Sequence, residues 1–255
     1  MKRYLALIVL SIAFCLFPQS ARAQYRDGRD SVAFKAADLI APFAVMTTAL
    51  SIHTFAHDSW DAAVRTGAQE WRLSDNANRG RDIAPFDDYI QYAPLVLDLG
   101  LGFTGVRTRH CFIDRTIEAA LAYAALGIIN GSAKEIFYTR RPNSADYKSF
   151  PSGHTGFVFT GAELVRLEYG WGWGAGAYAV AATVAVMRVY RDWHWMSDVM
   201  MGAGVGILCA NIGNWLLEPT KKLFGINLPE GWRFGMAPSY DPVSGSVGAQ
   251  LALRF

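Results

Sequence analysis

The chain has 255 residues, 52% of them hydrophobic and 18% charged, with a formal net charge of +2. That length suits one sizeable domain or two small ones, and the balance leans apolar against an ordinary soluble domain. A mean hydropathy of +0.14 leaves the case for membrane embedding to individual segments. No Lys/Arg-rich run with interleaved aromatics occurs, which argues against nucleic acid as a partner. The cysteines Cys15, Cys111 and Cys209 form no CxxC pair and read as small buried hydrophobes, not as a zinc site or a redox dithiol.

Residues 1–23 read as an export signal, with Lys2 and Arg3, an apolar core from Leu5 to Phe17, and an A-x-A site at Ala21-Arg22-Ala23. An uncleaved signal anchor is the competing reading. Residues 24–87 form an N-terminal helical or interfacial segment. Within it Leu39 to Ile52 is apolar but short of the ~20 residues a crossing needs, so it is expected to pack or lie at the interface. An amphipathic surface helix is expected around 57–73. His53 and His57 have the spacing of a helical metal pair, but no third ligand is near and both read as partly exposed histidines.

Residues 88–222 form the expected helical core. Tyr89 to Val106 is a candidate crossing that carries Gln91 and Asp98, and Arg107, Arg109 and Arg115 follow as a basic loop. Helices are expected over Thr116–Ser132, His154–Leu167, Gly174–Val189 and Val199–Leu217, with a turn at Trp171-Gly172-Trp173-Gly174. The last helix carries Gly202, Gly204 and Gly206, small residues that let helices approach closely. In the tail, 223–255, period-two alternation around Asp241-Pro242-Val243-Ser244-Gly245 predicts a β-hairpin from Trp232–Tyr240 and Val247–Phe255.

Three polar blocks interrupt the apolar segments: Lys134 with Arg141-Pro142; Pro151-Ser152-Gly153-His154; and Arg188, His194 and Asp198. Lys134, Arg141 and Arg188 can surround phosphate oxygens with positive charge. Ser152 and the Gly153 amide precede a helix whose N-terminus favours anions. His194 and Asp198 are one helical turn apart, so Asp198 can hold one ring nitrogen and leave the other as a nucleophile. His154 is then the general acid for the leaving group. Taken singly, each residue has a plain structural role open to it, as a membrane-edge cation, a core histidine or a helix cap.

The three blocks together resemble the signature of the type 2 phosphatidic acid phosphatase superfamily. One departure is Met187, where the family usually has Ser before the third-block Arg. The resemblance implies a helical core, a phosphohistidine on His194, His154 as the acid, and phosphate contacts from Lys134, Arg141, Ser152, Gly153 and Arg188. No metal and no cofactor is expected. Several segments that are greasy all round favour the membrane lipid-phosphatase branch.

The fold expected is therefore an all-α, multi-helix, membrane-embedded bundle with a small C-terminal β-hairpin. Its partners are a phosphorylated lipid and the membrane. Arg107, Arg109, Arg115, Lys221 and Lys222 assign their ends of the bundle to the cytoplasm, which sends the catalytic loops to the periplasmic face of the inner membrane. Lipid A phosphate and undecaprenyl pyrophosphate are the first substrates expected. A soluble or peripheral acid phosphatase, and a phospholipid-binding relative without turnover, are the alternatives.

Overall fold

The computed structural model describes residues 34–79, 86–104, 106–226, 233–240 and 247–254. The expected export signal lies outside them. After a 3-10 turn, α1 runs Ile40–Phe55; after a wide turn over His57–Asp61, α2 runs Ala62–Arg79. Two short helices follow, α3 (Phe86–Ile90) and α4 (Ala93–Gly100). The long helices are α5 (Phe112–Phe137), α6 (Gly153–Tyr169), α7 (Trp171–Tyr190) and α8 (Met196–Phe224). Two antiparallel strands, β1 (Arg233–Tyr240) and β2 (Val247–Arg254), pair with Arg233 opposite Arg254 and Tyr240 opposite Val247.

α8 is the central helix and packs against α1, α5 and α6. Its glycines make this possible. A Cβ on Gly206 would stand 2.5 Å from the Gly156 carbonyl oxygen of α6, and one on Gly204 would stand 2.5 Å from Met46 Cγ of α1. Around these contacts Val158, Phe159, Ala162 and Val165 of α6 meet Ala177, Ala181 and Val184 of α7 and Ile207 of α8. On the other flank Leu126, Met201, Val205 and Cys209 close around Ala49 and Phe150. Replacing Gly206 with alanine adds about 1 kcal/mol of helix propensity. It also forces α6 and α8 apart, at a cost of roughly 1–3 kcal/mol. The net expectation is a lower melting temperature with phosphate chemistry kept in the folded fraction, checked by thermal unfolding alongside activity.

Several elements differ from their expected form. Tyr89–Val106 is not one crossing: α3 stops where the Gln91 side chain donates to the Asp88 carbonyl at 2.7 Å, and Pro94 sits in the first turn of the separate helix α4. Arg115 is not in a loop. It lies in the first turns of α5, is buried, and donates to the Asp98 carbonyl and to Tyr169 Oη. Trp171–Gly174 is the start of α7, and the break falls at Gly170 alone, where φ is 77°. The helix through 39–52 extends over Ala36–Phe55, 20 residues, and is long and apolar enough to cross a membrane by length and composition, as is Met196–Phe224.

The blocks collect at one end of the bundle because chain direction alternates. The end of α5, the start of α6, the end of α7 and the start of α8 all carry block residues. The opposite end is tied by Lys221 Nζ to Asp114 Oδ2 at 2.9 Å, joining the end of α8 to the start of α5.

Candidate active site

α8 begins at Met196 after Trp195, and two carboxylates satisfy the amide donors of its first turn. Asp61, fully buried, accepts from the Ser197 amide at 3.0 Å and from Ser197 Oγ. Asp198 Oδ2 accepts from the Trp195 amide at 2.9 Å. Both negative charges sit where the helix dipole favours them.

The same Asp198 oxygen lies 2.5 Å from Ser149 Oγ, which donates to it, and 3.3 Å from His194 Nδ1. Ser149 Oγ is also 3.4 Å from His194 Nδ1. The ring of His194 is thus held through Nδ1, which leaves Nε2 as the reactive nitrogen. Burial pushes the His194 imidazole below its ordinary value while Asp198 pulls the other way, so the ring stays neutral and nucleophilic near neutral pH. Replacing Asp198 with Asn keeps the size but removes the charge and puts an amide where one oxygen served three donors. A fall of roughly 10²–10⁴-fold in turnover is expected, with a small loss of melting temperature, read from phosphate release and thermal unfolding.

The second block is fastened to the third by the Ser152 amide, which donates to the Asp198 carbonyl at 3.0 Å. Ser152 is fully buried and its Oγ accepts from Thr155 Oγ1 at 3.0 Å, so its side chain is engaged inside the protein. At Gly153, by contrast, nothing stands within 4 Å of where a Cβ would be, so the backbone faces open space at the start of α6. An anion can approach there.

Arg188 is buried at the end of α7, where its Nη1 donates to Asp87 Oδ2 at 2.7 Å and to Asp88 Oδ1 at 2.9 Å. Its Nε is buried and has no hydrogen-bond partner among the described residues. The guanidinium groups of Arg141 and Arg188 both lie over the Trp193 ring, at 5.8 and 5.6 Å from its centroid. Arg141 Nε donates to Asp146 within its own loop at 2.8 Å. Lys134 Nζ donates to the Lys148 carbonyl at 2.8 Å. Burial first, and Arg141 second, push the Lys134 ammonium down to about 8. His154 Nε2 stands 3.2 Å from Asp88 Oδ1. Burial, with Arg188 beside it, pushes that imidazole down to about 4.

The third-block loop is braced from α2. Arg65 donates to both oxygens of Asp192, at 2.7 and 2.9 Å, and to the Pro142 carbonyl at 2.8 Å. Gln69 Nε2 adds a bond to Asp192 at 3.0 Å. Trp195 Nε1 donates to the Arg140 carbonyl at 2.8 Å, closing first block against third.

All eight expected residues therefore stand at one end of the bundle. The direct bonds link Asp198 with His194 and Ser152, while Arg188 and His154 meet through Asp88. Ser149, Asp61, Asp87 and Asp88 were not expected, and nothing in their local sequence marks them. His53 stacks on Phe150 at 4.2 Å and His57 Nδ1 pairs with Asp61 Oδ2 at 3.0 Å, so the two histidines have separate structural partners. Another polar group, His110, Glu118 and Glu168, has ligand atoms within 4.8 Å of one another. It lies at the far end of α5 and α6 from His154, and there the His110 amide and Nδ1 are bonded to Glu168 at 2.7 and 2.9 Å.

Residues 123–221, which contain every expected site residue, match the model of the PAP2 superfamily. Among curated proteins the chain is similar to a lipid A 1-phosphatase of Porphyromonas gingivalis, 34% identical over 137 residues, which is 52% of this chain and 31% of that protein. The chain thus spans under a third of the relative's length. Among solved structures it is similar to Aquifex aeolicus LpxE, at 23% identity and a TM-score of 0.41, covering 54% of this chain and 90% of that one. It is also similar to a transmembrane PAP2 type phosphatidylglycerolphosphate phosphatase from Bacillus subtilis, at 20% identity and a TM-score of 0.49, covering 74% and 98%.

Proposed function

We propose that the chain is a phosphatase that removes phosphate from an envelope lipid through a phosphohistidine on His194, at the periplasmic face of the inner membrane. The observation that carries this reading is the His194 ring, buried and held by Asp198 at 3.3 Å through Nδ1. Such a ring has one nitrogen left for attack, at the same end of the bundle as Arg188, His154 and the open Gly153 backbone.

The chemistry runs in two displacements. His194 Nε2 forms a bond to phosphorus as the bond from phosphorus to the lipid oxygen breaks, and His154 gives that oxygen a proton. Water then attacks the phosphohistidine with His154 taking its proton, the P–N bond breaks, and inorganic phosphate leaves. Arg188, Arg141 and Lys134 offset the charge on the equatorial oxygens throughout. The donor set is cations, imidazoles and amides, and the scheme requires no metal.

The membrane setting is supported by Ala36–Phe55, of which only 11% of the apolar window is buried within the protein. Ile40 and Phe55, at 70% and 87% exposed, face outward with Ile128 and Ile136 of α5, as lipid-facing side chains do. The basic residues Lys221 and Lys222 lie at the end of α8 opposite Asp198, which by the positive-inside rule gives the site the outer face. The name of the P. gingivalis relative makes lipid A 1-phosphate the first substrate to try, ahead of undecaprenyl pyrophosphate, phosphatidylglycerol phosphate and phosphatidic acid.

The test is phosphate release by the purified, detergent-solubilised chain from a panel of these lipids beside water-soluble esters. Preference for a lipid, with the protein resisting carbonate extraction from membranes, is the expected result. Activity confined to small esters, with release into the carbonate wash, would overturn the lipid assignment.

A further inference from the structure

The carboxylates of α3 belong to none of the three blocks and lie outside residues 123–221. Asp87 is fully buried and accepts from Arg188 Nη1 at 2.7 Å and from Arg191 Nη1 at 2.6 Å. It anchors the two guanidinium groups. Asp88 is different. Its side chain is 42% exposed, and one oxygen, Oδ1, lies 2.9 Å from Arg188 Nη1 and 3.2 Å from His154 Nε2. A single carboxylate oxygen joins the phosphate-binding cation to the acid.

We propose that Asp88 is the positioning residue of His154: it stands against Nε2 and supplies negative charge that, together with the bound phosphate, favours the imidazolium, leaving Nδ1–H to be delivered to the lipid oxygen. This rests on the phosphatase reading above. His154 Nδ1 has no hydrogen-bond partner among the described residues, as delivery from that nitrogen requires. The arrangement mirrors the other histidine, where Asp198 holds Nδ1 and leaves Nε2 for attack.

The charged and titratable groups facing His154 are Arg188, Asp88, His194 and Asp87. Arg188 and His194 oppose a proton on the ring, as burial does, and the two aspartates favour it. Asp87 is already committed to Arg188 and Arg191, so Asp88 is the carboxylate that touches the imidazole. Beside the occupied Nη1, Arg188 Nε is buried and has no hydrogen-bond partner among the described residues.

The experiment uses the purified full chain and its Asp88→Asn variant, which keeps the size and removes the charge. Two monoesters are compared: hexadecyl phosphate, whose alkoxide needs a proton to leave, and p-nitrophenyl phosphate, whose phenolate does not. Because the second displacement uses His154 whatever the ester, the first is read from kcat/KM: Asp88→Asn should lower kcat/KM on the alkyl ester about 100-fold while leaving that on the aryl ester within about threefold. Asp88→Glu should recover part of the alkyl activity. Equal losses on both esters would make Asp88 merely structural. Faster turnover or a lower KM would make it an occupant of the phosphate position, and either outcome overturns the proposal. If the wild type hydrolyses neither ester and none of the lipids of the panel above, the phosphatase reading itself has failed. NMR titration of the His154 ring then still decides the positioning role: its pKa must fall in Asp88→Asn, and an unchanged titration refutes the contact.

Discussion

Replacing His194 with alanine should abolish phosphate release, with a fall of at least about 10⁴-fold expected, as when the nucleophile of a covalent mechanism is removed. The variant should also fold. His194 is buried beside Asp198 and Ser149, but Ser149 Oγ and the Trp195 amide still satisfy Asp198 Oδ2 when the ring is gone. The loss is therefore one of chemistry, and substrate binding through Arg188 and the Gly153 backbone should persist. Phosphate release from a labelled lipid, with lipid binding measured separately, checks both halves.

Replacing Arg188 with alanine should cost activity and stability together. Removing one preorganised cation from a transferring phosphoryl group costs on the order of 10³-fold. The same change strips Asp87 of its 2.7 Å partner inside the protein, leaving it only Arg191. Breaking a buried pair from one side costs roughly 3 kcal/mol or more. Burial raises the Asp87 carboxyl and the Arg188 and Arg191 bonds outweigh it, so the group sits below the ordinary carboxylate range. A depressed carboxyl stabilises the fold above its unfolded value, and that contribution is lost as pH falls through its folded value. Arg188→Ala should thus melt lower than wild type at neutral pH, with the gap narrowing toward acid. Adding Asp87→Asn should restore much of the melting temperature and none of the activity, which separates the two costs.

The three blocks were legible because each is local: His194 and Asp198 share one turn, and Ser152-Gly153 opens a helix. The close approach along Gly202, Gly204 and Gly206 was legible for the same reason, since a row of small residues on one helix needs no knowledge of its partner. What the sequence hid is the set of contacts between distant segments. Asp61 reaches Ser197 across 136 positions, Asp87 reaches Arg188 across 101, and Arg65 reaches Asp192 across 127. Composition misled where a local rule competed with packing. Gly172 and Gly174 looked like a turn, yet a Cβ at Gly174 would strike Arg166 Cβ at 2.8 Å, so that glycine serves helix packing. Arg115 looked like a loop cation, yet it is buried and bonded to the end of α4.

In the proposed mechanism His194 carries the phosphoryl group during turnover. This is tested most directly by quenching the working enzyme in alkali, which preserves phosphohistidine, and mapping the phosphate by mass spectrometry. A phosphorylated peptide with the modification on His194 is expected, present in wild type during turnover and missing from His194→Ala. Phosphate released from lipid with the label on another residue, or sustained release by His194→Ala, would contradict it.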